Sequence, residues 1–311
     1  MIKIPEELKR VKQILQETEG LPSDNNHDPS NVIFYNGCYY LWYTQHRNDR
    51  PYDHFADCKI CCAVSEDGEH WRNVGDSLLP SKDGWDCAGV LTANVIAYNG
   101  KFYLFYTGVG EAFANGETEK RCCGLAVADR PEDTFVRVSE TPVFQWDMLG
   151  KWDDQAVDDI SILFWKGKWR IYYKGCNERE TDPDKTMLGM AVADKLEGPY
   201  ERYEGNPLIR GHAFAIWPYQ SGLCLLSGLK HDIGKIYGED WNDPTGVQYL
   251  YYSEDGVHFE PCCEFPNRAA GIYVPADIEG QKEISNYWGI GVKTHDTHKK
   301  RYLYRFGFGD V

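Results

Sequence analysis

The sequence NVIFYNGCYYLWYT, residues 31–44, contains the pattern that decides the fold. An apolar run, a two-residue turn and an aromatic run recur in the same order as NVIAYNGKFYLFYTG (94–108), SILFWKGKWRIYYKG (161–175) and, more loosely, FAIWPYQSGLCLLSG (214–228). Asn36-Gly37 and Asn99-Gly100 are typical of type I′ turns, because both central residues of that turn need a positive φ. Each stretch therefore predicts a β-hairpin.

The second half of each unit also repeats. It appears as CCAVSEDGEHW (61–71), CGLAVADRPEDTF (123–135), LGMAVADKLEGPY (188–200) and LYYSEDGVHF (250–259). A last unit at 286–308 departs from the pattern, as terminal repeats do. These repeats predict an all-β fold, a five-bladed β-propeller over residues 21–311 that leaves only short strand edges exposed. A β-sandwich is the structural alternative, but it would not explain why the same hairpin returns.

Residues 1–20 form a separate segment in this interpretation. Over residues 4–17 the spacing of Leu8, Val11, Ile14 and Leu15, with acidic residues in the first turn, predicts a short N-terminal helix. Such a helix would either cap the propeller or take part in a homodimer contact.

Composition excludes several classes of partner. The chain has 311 residues, 42% of them hydrophobic, with 33 basic against 48 acidic residues and a formal net charge of -15. An acidic surface repels phosphate backbones and anionic lipids, so neither nucleic acid nor a membrane is an expected partner. The N-terminus has no signal-peptide pattern, which predicts a cytoplasmic location unless a leader was removed before this numbering.

The eleven cysteines are expected to be reduced. Three adjacent pairs cannot bridge themselves, because neighbours in a strand point to opposite faces. Cys58 and Cys61 form a CxxC, but no second CxxC or matching histidine pair completes four zinc ligands. A structural zinc is therefore not predicted.

Polar residues just before each apolar run should meet at one mouth of the ring, because the first strand of each blade lines the central channel. They include His27-Asp28-Pro29, Asp86, Thr92-Ala93-Asn94, Asp153-Asp154, Asp158-Asp159 and Gly211-His212. We place Asp28, Asp159 and His212 at equivalent positions in three units. An inverting glycosidase needs a base for water and an acid for the leaving oxygen.

Asp28 as the base, His212 as the acid and Asp159 as a carboxylate that adjusts the acid's pKa supply these functions. Each residue also has an ordinary structural explanation. Asp before Pro often opens a turn, and a histidine before a strand is often a hydrogen-bonded loop residue.

The sequence resembles glycoside hydrolase family 117 in the segments 27–44, 91–108, 194–222 and 251–259, and 205–219 is the most specific part. That family consists of inverting, exo-acting 3,6-anhydro-α-L-galactosidases that act on agar-derived oligosaccharides. The resemblance implies a five-bladed propeller related to the family 43/32/62/68 arabinanase–fructosidase clan. It also implies that Asp28 is the base, His212 the acid and Asp159 the pKa-modulating carboxylate.

Three departures leave the sugar open. Asp158-Asp159-Ile160 replaces a second His-Asp-Pro, Asn94 stands where relatives often carry Glu, and the N-terminal arm is short.

Aromatic rings are candidates for the sugar platform, because sugars present apolar C–H faces to them. Most tryptophans should pack between blades, and Trp217 is the best candidate for a sugar contact. The residues predicted to bind substrate are His27, Trp42, Gln45, Trp85, Asn94, Asp158, Lys174, Trp217 and His295. No organic cofactor is predicted. A divalent cation on the propeller axis is left open, because related propellers hold one and His295 could face it.

Other functions remain open on the same ring. A glycoside phosphorylase needs a basic cluster for phosphate, but the candidates Arg47, Arg50, Lys174, Arg179 and Arg210 are scattered. Other propeller glycosidases, such as arabinosidases and fructosidases, stay open too. A non-catalytic carbohydrate-binding propeller would lack an acid/base set at the blade heads. A sialidase would need an arginine trio and a nucleophilic tyrosine, neither of which can be placed.

Overall fold

A computed structural model describes residues 2–16, 18–21, 26–46, 57–110, 120–177, 186–228, 248–265, 269–275, 284–294 and 301–309. Near the N-terminus lie a 3-10 helix, Glu6–Lys9, and strand β1, Lys12–Gln16. The described strands form the five blades that the repeats predict.

Blades one to three follow in chain order. Blade one contains β2 (Asn26–His27), β3 (Val32–Tyr35), β4 (Cys38–His46), β5 (Cys58–Ser65) and β6 (Trp71–Leu78). Blade two contains β7 (Gly89–Tyr98), β8 (Lys101–Val109), β9 (Arg121–Ala128) and β10 (Val136–Arg137). Blade three contains β11 (Ala156–Trp165), β12 (Lys168–Cys176), β13 (Met187–Ala193), β14 (Glu201–Arg202) and β15 (Ile209–Arg210).

Blades four and five complete the ring. Blade four contains β16 (His212–Tyr219), β17 (Gly222–Gly228), β18 (Gln248–Ser253) and β19 (Glu260–Phe265). Blade five contains β20 (Ala269–Tyr273), β21 (Trp288–Thr294) and β22 (Arg301–Gly309), with a 3-10 helix, Ile284–Asn286, before β21. The inner strands β3, β7, β11, β16 and β20 surround a central cavity of about 440 Å³.

The hairpin turns have the backbone that their sequences predict. Asn36 and Gly37 have φ values of 49° and 81°, and Asn99 and Gly100 have values of 50° and 74°. These positive angles match a type I′ turn, whose twist follows that of the two strands it joins. The repeated turn dipeptides therefore set the register of the inner hairpins.

The predicted N-terminal helix over residues 4–17 is wrong. Only Glu6–Lys9 is helical, and β1 pairs antiparallel with β22, Lys12 opposite Gly309. Leu8 and Val11 are buried, whereas Ile14 is 50% exposed, so the apolar residues do not share one covered face. Pairing with the open edge of β22 outweighs a weak helical preference. Residues 12–16 thus belong to the sheet of blade five.

All eleven cysteines are free, as predicted. No helix within the described residues is long and apolar enough to cross a membrane.

Candidate active site

A small pocket opens where the inner strands of blades one, two and three meet. Asp28, Thr92, Asn94 and Asp159 line it, and Phe214 reaches it from blade four. The first four come from the polar blade heads that the sequence singles out. The structure therefore brings Asp28 and Asp159 together, as predicted.

An irregularity of the backbone turns these residues toward the pocket. Asp28, Thr92 and Asp159 have φ values of 46°, 49° and 49°, in the left-handed region. The pairing of β7 with β8 and of β11 with β12 is interrupted at this place, which is typical of a bulge that redirects a side chain. Non-glycine residues in this region cost energy and concentrate at functional sites. Asp28 and Asp159 thus occupy equivalent positions in their blades.

His212 stands one position earlier than predicted. It pairs with Gly228 in the register that Asp158 and His27 occupy in blades three and one. Its half-buried ring places Nδ1 3.3 Å from Thr186 Oγ1. His212 is not part of the pocket lining that the described residues form. The predicted equivalence of His212 with Asp28 and Asp159 is therefore corrected by one residue.

His27, the residue before Asp28, holds the Asp28 carboxylate from below the surface. Its side chain is fully buried, so the predicted substrate contact by His27 is wrong. Its Nδ1 lies 2.5 Å from Asp28 Oδ2, and the Asp28 side chain is 14% exposed. An Nδ1–H that donates to an ionised Asp28 would hold the carboxylate in place at the edge of the pocket.

Beneath Asp159 lies a buried group of charges. Lys174 Nζ is 2.9 Å from Asp158 Oδ2 and 2.7 Å from Asp159 Oδ2, and Arg121 also bonds to Asp158 Oδ2. Asp158 is 1% and Lys174 5% exposed. The predicted substrate contacts by Asp158 and Lys174 are therefore wrong, since both side chains are committed to each other below the pocket. Asp159 is the charged member of this group that lines the pocket.

The two adjacent carboxylates differ in pKa. Burial disfavours ionisation of Asp158, but Lys174 and Arg121 outweigh it and hold the pKa of that carboxyl well below its ordinary value. Burial raises the pKa of Asp159. The charge of Lys174 opposes this rise, while the charges of Asp158 and Asp28 add to it. Asp159 is thus the carboxyl of this pair that retains a proton more readily.

Three threonines tie these charges to blades one and two, and the sequence pattern marked Thr92 but missed Thr44 and Thr107. Thr92 Oγ1 donates to Thr107 Oγ1 over 2.6 Å, and Thr107 Oγ1 donates to Asp158 Oδ1 over 2.8 Å. Thr44 joins the network because its Oγ1 accepts the backbone N–H of Thr92 over 3.0 Å. Thr44 and Thr107 are equivalent hairpin positions, and blade three has lysine there. The replacement of this threonine by lysine in blade three is the sequence signal that could have revealed the buried charges. No such signal marks Arg121.

Asn94 joins two blades while it lines the pocket. Its Oδ1 accepts the backbone N–H of Ile162 in blade three over 3.1 Å. Asn31 does the same one blade earlier, since its Oδ1 accepts the N–H of Val95 over 2.9 Å. The repeated asparagine is thus a tie between blades, and the predicted substrate contact by Asn94 stays a prediction.

Burial corrects the predicted sugar contacts of Trp42 and Trp217, whereas Trp85 is only partly buried and its contact stays a prediction. Trp42 is fully buried and packs against Phe135, and Trp217 is 2% exposed and packs against Phe308. A sugar needs an open ring face, which neither offers. Trp85 stacks on Tyr106 at 5.7 Å and belongs to the packing of blade two.

One further predicted residue, Gln45, lies apart from this pocket. Gln45 donates through Nε2 to Asn26 Oδ1 over 3.0 Å, beside the inner strand of blade one. His295 lies outside the described residues, and the cation on the propeller axis stays as open as the sequence left it. The pocket carboxylates Asp28 and Asp159 are engaged with His27 and Lys174.

Two acids among the blade heads are structural. Asp86 accepts bonds from Tyr106 Oη and Arg137 Nε, each over 2.8 Å. Asp153 repeats the arrangement one blade later with a tyrosine and an arginine of its own. Both are almost fully buried, so they hold the packing between strands.

Comparison with known proteins assigns the chain to a family. The family described as Glycosyl hydrolases family 32 N-terminal domain matches residues 22–180, just over half of the chain. The chain belongs to this family. It is 28% identical over 129 residues to the extracellular endo-alpha-(1->5)-L-arabinanase 2 of Bacillus subtilis (strain 168), covering 40% of the chain and 26% of that protein. It is 30% identical over 112 residues to the sucrose:sucrose 1-fructosyltransferase of Festuca arundinacea, covering 35% and 15%. The match thus spans about a quarter or less of these curated relatives.

Solved structures agree with this family 32 chain over nearly its whole length. A family 117 glycoside hydrolase from the marine bacterium Zobellia galactanivorans has a TM-score of 0.77 at 24% identity, covering 97% of this chain and 91% of that one. A thermostable family-43 glycoside hydrolase has a TM-score of 0.66 at 14% identity, covering 95% and 96%. These similarities confirm the propeller fold that the resemblance to family 117 predicts.

Proposed function

We propose that the protein is an exo-acting, inverting glycoside hydrolase that removes a terminal sugar, 3,6-anhydro-α-L-galactose or a related α-L-sugar, from an oligosaccharide. The observation that carries the proposal is the pair Asp28 and Asp159, which face one pocket from equivalent positions of two blades. Inverting hydrolysis needs a carboxylate base for the attacking water, and a second carboxyl nearby can adjust the pKa of the acid. The similarity to an arabinanase and to a family 117 glycoside hydrolase supports the reaction class.

In this mechanism Asp28 takes the proton from the attacking water. Its contact with His27 fixes the carboxylate, and its small exposed fraction lets water reach it while most of the group stays dry. A positioned base of this kind contributes roughly 10²–10⁴-fold to the rate. Asp28→Asn should therefore lose that factor, while Asp129→Asn, a change in an exposed ion pair with Lys101, should keep full activity.

His212 protonates the departing oxygen, and Asp159 adjusts the proton affinity of the site. Asp159 itself has a raised pKa, so the two roles need separation by experiment. A variant without the acid should recover on aryl glycosides with good leaving groups, because these need little protonation. Recovery of His212→Ala supports the assignment. Recovery of Asp159→Asn in its place would move the acid to Asp159.

The substrate test is incubation with neoagaro-oligosaccharides beside arabino- and galacto-oligosaccharides. Proton NMR of the first product gives the sugar and its anomeric configuration together. Inversion with release of a monosaccharide supports the proposal, and an internal cut or retention contradicts it. Runs with and without inorganic phosphate separate hydrolysis from phosphorolysis. Gel filtration tests whether the homodimer that the sequence leaves open forms.

A further inference from the structure

Blade one holds two histidines and a cysteine whose chemistry the proposed hydrolysis does not use. His46 ends β4 and Cys58 begins β5, and the two are direct partners across that antiparallel pair. His27 lies on β2, on the other side of β4. Paired strands fix all three positions.

Their donor atoms converge. His27 Nε2 is 3.1 Å from His46 Nε2, and Cys58 Sγ is 4.0 Å from that same nitrogen. One donor atom from each residue lies within 4.8 Å of the others. Tetrahedral zinc places two nitrogens about 3.3 Å apart, and nitrogen and sulfur about 3.6 Å apart, given its bond lengths. Small side-chain rotations would bring the three atoms to that spacing.

We propose that His27, His46 and Cys58 bind a borderline-soft divalent cation of the zinc class, with water as the fourth ligand. Imidazole and thiolate suit zinc, whereas magnesium and calcium take oxygen donors. Binding replaces the proton of the Cys58 thiol with the metal and releases that proton to solvent. Three protein ligands leave the fourth position to water.

The ring of His27 connects this site to the pocket. Its Nε2 faces His46, while its Nδ1 lies 2.5 Å from Asp28 Oδ2. A histidine that binds metal through one nitrogen donates the other N–H, often to a carboxylate that orients the ring. The cation would thereby fix His27 as a donor to Asp28. The metal site itself rests on the donor geometry and does not depend on the proposed function.

The chain contains a matched control for the cysteine. Cys61 is the other half of the CxxC, but three positions along a strand reverse the side-chain direction. Its Sγ lies 3.6 Å from Gln45 Oε1 and 3.5 Å from Asp76 Oδ1. Cys58→Ser and Cys61→Ser therefore remove one thiol each from the same strand, only one of them at the proposed site.

The experiment uses the full chain without a histidine tag. Bound metal is removed with a chelator, and the protein is then dialysed against a low concentration of free Zn²⁺ or Co²⁺. Wild type should hold one ion per chain by elemental analysis, and the cobalt form should show a thiolate-to-cobalt charge-transfer band. Cys58→Ser should lose the band, His46→Gln should lose stoichiometric binding, and Cys61→Ser should keep both. Asp28→Asn should weaken binding about 10–100-fold, as loss of an orienting carboxylate does.

Wild type without bound metal, or Cys58→Ser and His46→Gln that bind as wild type does, would overturn the proposal. Thermal unfolding of each chelated variant checks that it folds, and Cys58→Ala replaces Cys58→Ser if the latter does not. Metal content and the cobalt spectrum need no turnover. Failure of the glycosidase proposal would therefore leave this result unchanged.

Discussion

Lys174→Met should destabilise the protein strongly and in a pH-dependent way. Lys174 is the shared cation of Asp158 and Asp159, at 2.9 and 2.7 Å. Methionine keeps most of the side-chain volume but leaves two buried carboxylates with Arg121 as their remaining partner in this group. The change therefore isolates the loss of charge.

The expected magnitude follows from these distances. Each contact is worth about 6 kcal/mol in gross attraction at an effective dielectric constant of about 20. The cost of burying the lysine offsets most of that, so removal of one partner from a buried pair costs about 3–5 kcal/mol net. Part of this loss disappears when Asp159 takes up a proton.

The sign of the pH dependence follows from that proton. Without Lys174 the pKa of Asp159 rises further above its ordinary value, because burial and the charges of Asp158 and Asp28 then act unopposed. The folded variant holds a proton that the unfolded chain has released. Its free energy of unfolding should fall by about 1.4 kcal/mol per pH unit between the unfolded and folded pKa values of Asp159.

Urea unfolding followed by tryptophan fluorescence, at mildly acidic and mildly alkaline pH, measures both effects. Lys168→Met is the matched control, because Lys168 lies on the same strand and pairs with Asp194 at the surface. Exposed pairs are worth about 0–1 kcal/mol. A loss for Lys174→Met no larger than that of the control, or one that does not grow with pH, would refute the reasoning.

Two further changes test the packing between strands. Gly175→Ala places a methyl group 2.4 Å from the Trp152 ring and should lower the free energy of unfolding by about 1–3 kcal/mol. Gly307→Ala is the control and should cost less, because its methyl group meets the flexible side chain of Gln16. Denaturant midpoints compare the two variants. Arg137→Met leaves the carboxylate of Asp86 buried without its cation and should cost about 3 kcal/mol in the same assay; a loss below about 1 kcal/mol contradicts the assigned role.

The fold was predictable because its signals are local and repeated. Asn36-Gly37 and Asn99-Gly100 specify their turns within two residues, and each turn carries a hairpin. The shared pocket of Asp28 and Asp159 was predictable as well, because both acids stand at the head of an otherwise apolar run in their repeat.

The failures concern features that depend on distant residues. The spacing of apolar residues over 4–17 fits a helix. Residues 12–16 form a strand because they pair with the edge of β22, which is distant in the sequence. Sequence position did not show whether Trp42 and Trp217 face the neighbouring blade or the channel, since strand residues alternate between faces. His212 was placed one residue off, because the position equivalent to Asp159 in its strand is residue 213, an alanine, and the histidine is the polar residue next to it.

The outer strand of blade five has a consequence for how the chain folds. Lys12 pairs with Gly309, so the sheet of that blade is completed only by contact between nearly the two extremes of the described sequence. Contacts of such long sequence separation form late, because the loop entropy must be lost before they stabilise anything. Blades two to four take their strands from contiguous stretches and can assemble first. Ring closure is then the last step, and during synthesis β1 must wait until β22 has emerged.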